Sequence, residues 1–370
     1  LYAFSLTGSY ILIAILSPFL SGIADYGGRR MFFLKLFTIV GSISCAGLFF
    51  FDGADRLIIG IPCFMLATIG FAGALVFYNS YLHIIVTKDL MDRVSAQGYA
   101  YGYIGSVLLL VLCLLGITYH ELLGMGKGLA TRSSFLAVGI WWFGFSQYTF
   151  RILPVEQSKE FSTEVMIRGW EELKSVWNKL RQDRILLYFL LSFFFYSAGV
   201  QTVLFLASTF AETELNFSTA ELITVILILQ IVAIGGAYFF AWISKSISNK
   251  LSLFSMLGIW LLICALGYLV EGKYQFYGIS GMVGLVMGGI QSQSRSTYSK
   301  LLSDDIKDVT SYFSFYDILE KMSIVLGTFS FGVIDQLTGG MRNSLLALGL
   351  FFIIGILLLI PLKERTEQSN

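Results

Sequence analysis

The stretch Ser21–Phe33, SGIADYGGRRMFF, places one acid, two adjacent glycines and two arginines in a short link between two long apolar runs. If those runs are antiparallel helices, the link has to reverse the chain within a few residues. Gly27 and Gly28 suit that reversal, because a residue without a Cβ enters positive φ without a clash. Asp25, at the end of the first run, can accept hydrogen bonds from neighbouring helix termini or pair with an arginine. Arg29 and Arg30 can anchor the link at a polar interface. The plainer reading is a tight turn carrying basic residues; the sharper one is a polar cluster, Gly22, Asp25, Gly28, Arg29 and Arg30, that latches a gate.

The rest of the chain decides which environment these runs occupy. Of 370 residues, 56% are hydrophobic and 13% charged, and the mean hydropathy is +0.75, outside the range of soluble globular domains. Apolar stretches of about 20 residues, each long enough as a helix to cross a hydrocarbon core of roughly 30 Å, fall at 2–23, 31–51, 57–85, 95–118, 133–152, 185–211, 219–243, 251–270, 274–297, 312–335 and 343–362. With the Asp25 link on the cytoplasmic side, eighteen basic residues lie inside and five outside, namely Arg56, Lys127, Arg132, Lys273 and Arg342. Basic residues near span ends stay cytoplasmic, so this bias predicts a multi-pass cell-membrane protein, in the inner membrane if the source is bacterial, with a cytoplasmic C-terminus. The sequence starts at Leu1, already inside an apolar run, and the orientation calls for one further span ahead of it. The net charge of +1 gives no reason to expect nucleic acid as a partner. Cys45, Cys63, Cys113 and Cys264 stand singly, as do His83 and His120, so neither a metal nor any other cofactor is expected.

One long polar segment, at 153–184, divides a bundle at 1–152 from a bundle at 185–370. Within it Met166, Trp170, Leu173, Trp177 and Leu180 recur at three- and four-residue steps, one face of an amphipathic helix expected to lie on the inner membrane surface. The halves match weakly at an offset of 216 residues: Ser80, Asp89, Asp92 and Ser95 fall opposite Ser296, Asp305, Asp308 and Ser311, as in a parallel repeat. The second-half counterpart of the opening link, AWISKSISNK at 241–250, has neither glycine nor acid, which predicts an asymmetric latch resting on Asp25.

Charged groups at membrane depth are costly and are functional candidates by default. The run SYFSFYDILEKMSIVLGTFSFG, 311–332, carries Asp317, Glu320 and Lys321, roughly 10 to 15 Å from its cytoplasmic start at about 1.5 Å per residue. The preceding run ends GGIQSQSRSTYSK, supplying Gln291 and Arg295. Arg295 and Lys321 are the expected ligands for an anionic substrate group, with Asp317 and Glu320 as counter-ions and, where protons drive transport, as proton carriers. Asn79, Tyr101, Gln201 and Gln230 are the expected neutral contacts. Gly98, Gly102 and Gly105, and Gly281, Gly284 and Gly288, have the spacing of close helix packing.

The pattern Gly22-x-x-Asp25-x-x-Gly28-Arg29-Arg30 resembles the signature loop between the second and third helices of the major facilitator superfamily. VFYNSYL (76–82), SAQGYAYGYIGS (95–106), FFFYSAGVQT (193–202), GGIQSQSRSTYSKLL (288–302) and FSFYDILEKMSIVLG (313–327) together resemble its vacuole-effluxer branch, which includes the autophagy-related vacuolar amino-acid exporter of fungi and bacterial relatives. Ala198 stands where that branch usually has an acid, and Ser303 where a proline often follows. The resemblance implies an all-α membrane protein of two six-helix bundles, with eleven of twelve transmembrane helices present in this sequence. It implies a monomeric secondary transporter, not an enzyme, that exports amino acids or similar small polar metabolites by alternating access, with substrate bound between the bundles. The rival reading is a polytopic sensor, scaffold or lipid-handling protein on the same fold.

Overall fold

The computed structural model describes residues 2–160, 162–338 and 340–362; Leu1, and the basic Lys363 and Arg365 of the charge count, lie outside them. The described residues form twelve α-helices and no strand. They are α1 (Tyr2–Gly27), α2 (Arg30–Gly47), α3 (Leu57–Ile85), α4 (Met91–Thr118), α5 (Lys127–Ile152), α6 (Thr163–Gln182), α7 (Arg184–Leu215), α8 (Thr219–Ser246), α9 (Asn249–Leu269), α10 (Lys273–Leu301), α11 (Val309–Thr338) and α12 (Met341–Leu359). Eleven coincide with the apolar runs, and α6 is the helix expected in the polar segment. Local chemistry marks several ends. Asp183 accepts from the backbone N–H groups of Ile185 and Leu186 to start α7, and Ser218 and Glu221 form a capping box that starts α8. Asn216 closes α7 in the left-handed conformation, φ 54°.

Large apolar side chains such as Ile15, Ile58, Ile140, Phe145 and Leu350 are exposed on the helix surfaces. So much exposed apolar surface suits helices bathed in lipid rather than water. Polar side chains go inside instead: Ser292, Gln293, Ser294, Ser296, Thr297 and Ser299 make one stretch of α10 buried on every side. Several of these hydroxyls donate back along their own helix, Ser292 to the Gly288 carbonyl at 2.8 Å and Ser294 to that of Ile290 at 2.6 Å.

The chain divides into two compact units, one of Leu1–Ile85, Leu108–Lys179 and Asp305–Asp317, the other of Val86–Val107, Leu180–Asp304 and Ile318–Asn370. In the first, α3 packs on α1 and α2, and α2 on α5, around stacked Phe33, Phe37 and Phe77. In the second, α8 packs on α10, and α12 on α7 and α9. A methyl at Gly236, Gly284 or Gly288 would collide with the carbonyl of Leu285, Leu229 or Ala233 respectively, so α8 and α10 touch backbone to backbone. The expected packing role thus fits Gly284 and Gly288, whereas Gly102 and Gly281 face open space. Two helices belong to both units: α4 begins in the second and continues in the first, and α11 does the reverse.

The face that α6 turns to protein lies beside the apolar stripe read from the sequence and shares Leu173 and Leu180 with it. Val165, Gly169, Leu173, Val176 and Leu180 are buried, while Met166, Trp170 and Trp177 are 37%, 46% and 46% exposed. The cause is the closeness of the contact: a methyl at Gly22 of α1 would strike the Gly169 carbonyl, and only small side chains fit a crossing that tight.

Candidate functional site

The opening link builds a buried ionic knot in the first unit. Gly28 makes the turn at φ +62°, whereas Gly27 completes α1 in helical geometry. Space restricts Gly28 as well, since a methyl there would meet the Gln157 carbonyl. Arg30 and Asp25 pair at 2.8 Å with side chains 3% and 2% exposed. The Asp25 carboxylate also accepts the backbone N–H groups of Thr310 and Ser311 at 3.2 and 2.7 Å and the Ser311 hydroxyl at 2.8 Å. Asp25 therefore acts as an N-terminal cap, supplied from another helix, on the first turn of α11, where unsatisfied N–H groups and the helix dipole favour an anion. Arg30 reaches the Thr310 hydroxyl at 2.5 Å and pairs with Glu156. Arg29 donates to the Lys159 carbonyl at 2.5 and 3.1 Å, and the Lys159 N–H returns to the Gly27 carbonyl at 2.9 Å. The link holds α11 on one side and residues 156–159 on the other. Burial pushes the Glu156 carboxyl above its ordinary range, against the pull of Arg30.

A second polar cluster lies in the second unit, where the counterpart link supplies Ser244 and Asn249. Its acid comes from the helix start, not from the link. Asp92, in the first turn of α4, accepts from Ser244 Oγ at 2.9 Å, Asn249 Nδ2 at 2.8 Å and Lys300 Nζ at 2.5 Å. Further along α4, the Arg295 guanidinium donates to the Ser95 hydroxyl and carbonyl, both at 3.0 Å, and lies 4.7 Å from the centroid of the Tyr99 ring. Ser95 Oγ donates to the Ser292 carbonyl at 2.7 Å, and Tyr103 donates to Gln291 Oε1 at 2.5 Å. These rungs, three to four residues apart, zip one face of α4 onto α10. The matched positions of the internal repeat, Asp92 with Asp308 and Ser95 with Ser311, therefore both sit where a shared helix begins.

Among the expected substrate residues, Gln201, Glu320 and Lys321 come together. Lys321 Nζ is 3.0 Å from Glu320 Oε2, and Gln201 Nε2 is 3.5 Å from Glu320 Oε1. The Glu320 side chain is 25% exposed and that of Lys321 8%, about 16 Å along α11 from Val309 at 1.5 Å per residue. Nearby in the same unit Tyr196 and Ser294 share a hydroxyl hydrogen bond of 2.7 Å. Arg295 and Gln291 are spent on the α4–α10 rungs. Tyr101 is 67% exposed, on the face of α4 away from Tyr99 and Tyr103. Gln230 Oε1 is buried with no hydrogen-bond partner among the described residues. Asn79 and the buried Asp317 belong to the first unit. Asn249, Lys300, Thr310 and Glu156 escaped the sequence reading, because their partners, Asp92 for the first two and Arg30 for the others, lie more than a hundred residues away and leave no local pattern.

Comparison with known proteins agrees with this geometry. The family model described as "Vacuole effluxer Atg22 like" matches residues 1–369. An uncharacterized MFS-type transporter, YxiO of Bacillus subtilis, is 28% identical over 98% of this chain and 84% of its own length. Autophagy-related protein 22-1 of Aspergillus niger is 25% identical over 98% of this chain and 71% of its own. The solved structure of the major facilitator transporter FucP in the outward conformation superimposes with a TM-score of 0.73, covering 97% of this chain and 89% of that one at 11% identity. The chain is a member of the Atg22-like vacuole effluxer family, with the fold of the major facilitator superfamily.

Proposed function

We propose that this major facilitator-type membrane transporter is a secondary transporter working by alternating access, exporting amino acids or similar small polar metabolites, with its C-terminus in the cytoplasm. The observation that carries the reading is the division of α4 and α11 between the two units, each helix held at its start by polar contacts. Hydrogen bonds and ion pairs at the starts of two shared helices can be exchanged for water at modest net cost, so they can open and close within a cycle. An apolar seam of the same length would not.

Gln201, Glu320 and Lys321 form the solute and coupling centre of the proposal. Lys321 has its ammonium paired with Glu320, which makes the two functions competitive. A proton on Glu320 weakens its hold on the Lys321 ammonium and favours a substrate carboxylate there; loss of that proton strengthens the pair and competes with the anion. Arg295 and Gln291 become available to solute when the α4–α10 rungs part. The test is efflux of a radiolabelled amino-acid mixture from liposomes containing the protein. Lys321→Ala should reduce flux at least tenfold, and Glu320→Gln should abolish its dependence on a pH gradient. Wild-type flux retained in Lys321→Ala would overturn the assignment.

A further inference from the structure

Asp92 sits in a receptor for a carboxylate that its own helix does not build. Asn249 Nδ2 donates to its Oδ1 at 2.8 Å, and Ser244 Oγ and Lys300 Nζ donate to its Oδ2 at 2.9 and 2.5 Å. The donors come from the end of α8, the start of α9 and the end of α10, and all four residues belong to the second unit. Both oxygens of one carboxylate are therefore held from three elements, and α4 supplies only the ligand. The receptor is also braced without that ligand. Asn249 Nδ2 reaches Gln293 Oε1 and Thr297 Oγ1, both at 3.2 Å, and Asn249 Oδ1 accepts from Lys300 Nζ at 2.9 Å. Gln293 and Thr297 are buried, at 0% and 3% exposure, so the Asn249 amide is aimed before any anion arrives. Its place in the first turn of α9 adds the pull of a helix dipole on negative charge. We propose that this cluster is a carboxylate-binding site of the second unit, filled by Asp92 and open to a small carboxylate solute when the first turn of α4 withdraws.

Lys300 gives the site its need for an anion. Its side chain is 23% exposed and that of Asp92 5%, so the ammonium can be approached from solvent while the acid it pairs with is enclosed. With Asp92 gone, that ammonium would face an amide and a hydroxyl, a partly buried cation short of its counter-charge. Selectivity comes from the two-sided grip: Asn249 binds one oxygen while Ser244 and Lys300 bind the other, an arrangement a carboxylate satisfies and a halide does not. A carboxamide keeps the shape but turns an N–H group toward donors and brings no charge. Asp92 is tethered and competes as a ligand at about millimolar effective concentration or above, so a free carboxylate enters when abundant or when α4 moves. In the proposed cycle the carboxylate of a cytoplasmic solute would displace Asp92 as it enters. Only that consequence rests on the functional reading above; the site itself stands on the side chains.

The experiment takes sodium acetate as the probe and compares it with sodium chloride at equal ionic strength, using the purified protein. Asp92→Ala vacates the site, so its recovery as folded protein and its melting temperature should be low in chloride and saturably restored in acetate. Asp92→Asn fills the site with a neutral amide and should gain nothing from acetate beyond what chloride gives. Asp92→Ala/Asn249→Ala lacks one wall and should lose most of the rescue. In the wild type, acetate competes with Asp92, so amide exchange of residues 94–98 should rise several-fold over its rate in chloride. The site is overturned if acetate fails to rescue Asp92→Ala, whether the variant melts alike in both salts or folds in neither. Equal rescue of Asp92→Asn or of the double variant, or wild-type exchange that ignores acetate, would overturn it too. Because every readout is folding or backbone protection, the answer does not depend on whether any amino acid is transported.

Discussion

Asp25 shows how much one side chain can organise. It neutralises a buried arginine and caps a helix that lies almost three hundred residues further along the chain. Asp25→Asn keeps the shape but leaves Arg30 buried with Glu156 as its remaining acid. Breaking a buried ion pair from one side costs roughly 3–5 kcal/mol, so the variant should melt well below the wild type, and equal melting temperatures would refute the structural weight given to this residue. The sequence exposed Asp25, Gly28 and Arg30 because acids, positive-φ glycines and paired arginines are rare between apolar runs. It concealed their partners: Thr310 and Ser311 contribute mainly backbone N–H groups, which every residue has. Arg295 was legible as a costly charge at depth, but whether such a charge awaits a ligand or holds a neighbouring helix depends on what its guanidinium touches.

For whole elements, period and length were strong signals where lipid surrounds the helix, and all eleven apolar runs became helices close to the expected limits. The buried side of α6 shares Leu173 and Leu180 with the stripe read from the sequence and also runs through Val165, Gly169 and Val176, because close approach to Gly22 rewards small volume over apolar area. The same principle separates two glycines of α10. Gly284→Ala must push the Leu229 carbonyl away, whereas Gly281→Ala enters open space and gains helix propensity of up to about 1 kcal/mol. A thermal-stability comparison should find the first variant lowered and the second unchanged or raised. The reverse order would mean that α8 and α10 do not touch along this seam.

Across the whole molecule, the internal repeat was faint in sequence, since four matched positions at an offset of 216 residues prove little alone. In three dimensions two of those matches, Asp92 with Asp308 and Ser95 with Ser311, mark the beginnings of the helices shared by both units. Each matched aspartate meets a lysine, Lys300 for Asp92 and Lys179 for Asp308, but the rest differs: Asp92 also accepts from Ser244 and Asn249, while α11 receives Asp25 from α1. The second link indeed has no acid of its own; its Ser244 and Asn249 meet Asp92 of α4 instead. In the proposed alternating-access cycle the latch on α11 opens each time. Thr310 Oγ1 lies 3.4 Å from Ser80 Oγ, close enough for a disulfide between cysteines at the two positions after modest adjustment. The decisive measurement is amino-acid efflux from liposomes bearing Ser80→Cys/Thr310→Cys, with the four native cysteines replaced, before and after oxidation. The account predicts that oxidation stops efflux and reduction restores it; undiminished efflux through the fully cross-linked protein would contradict it.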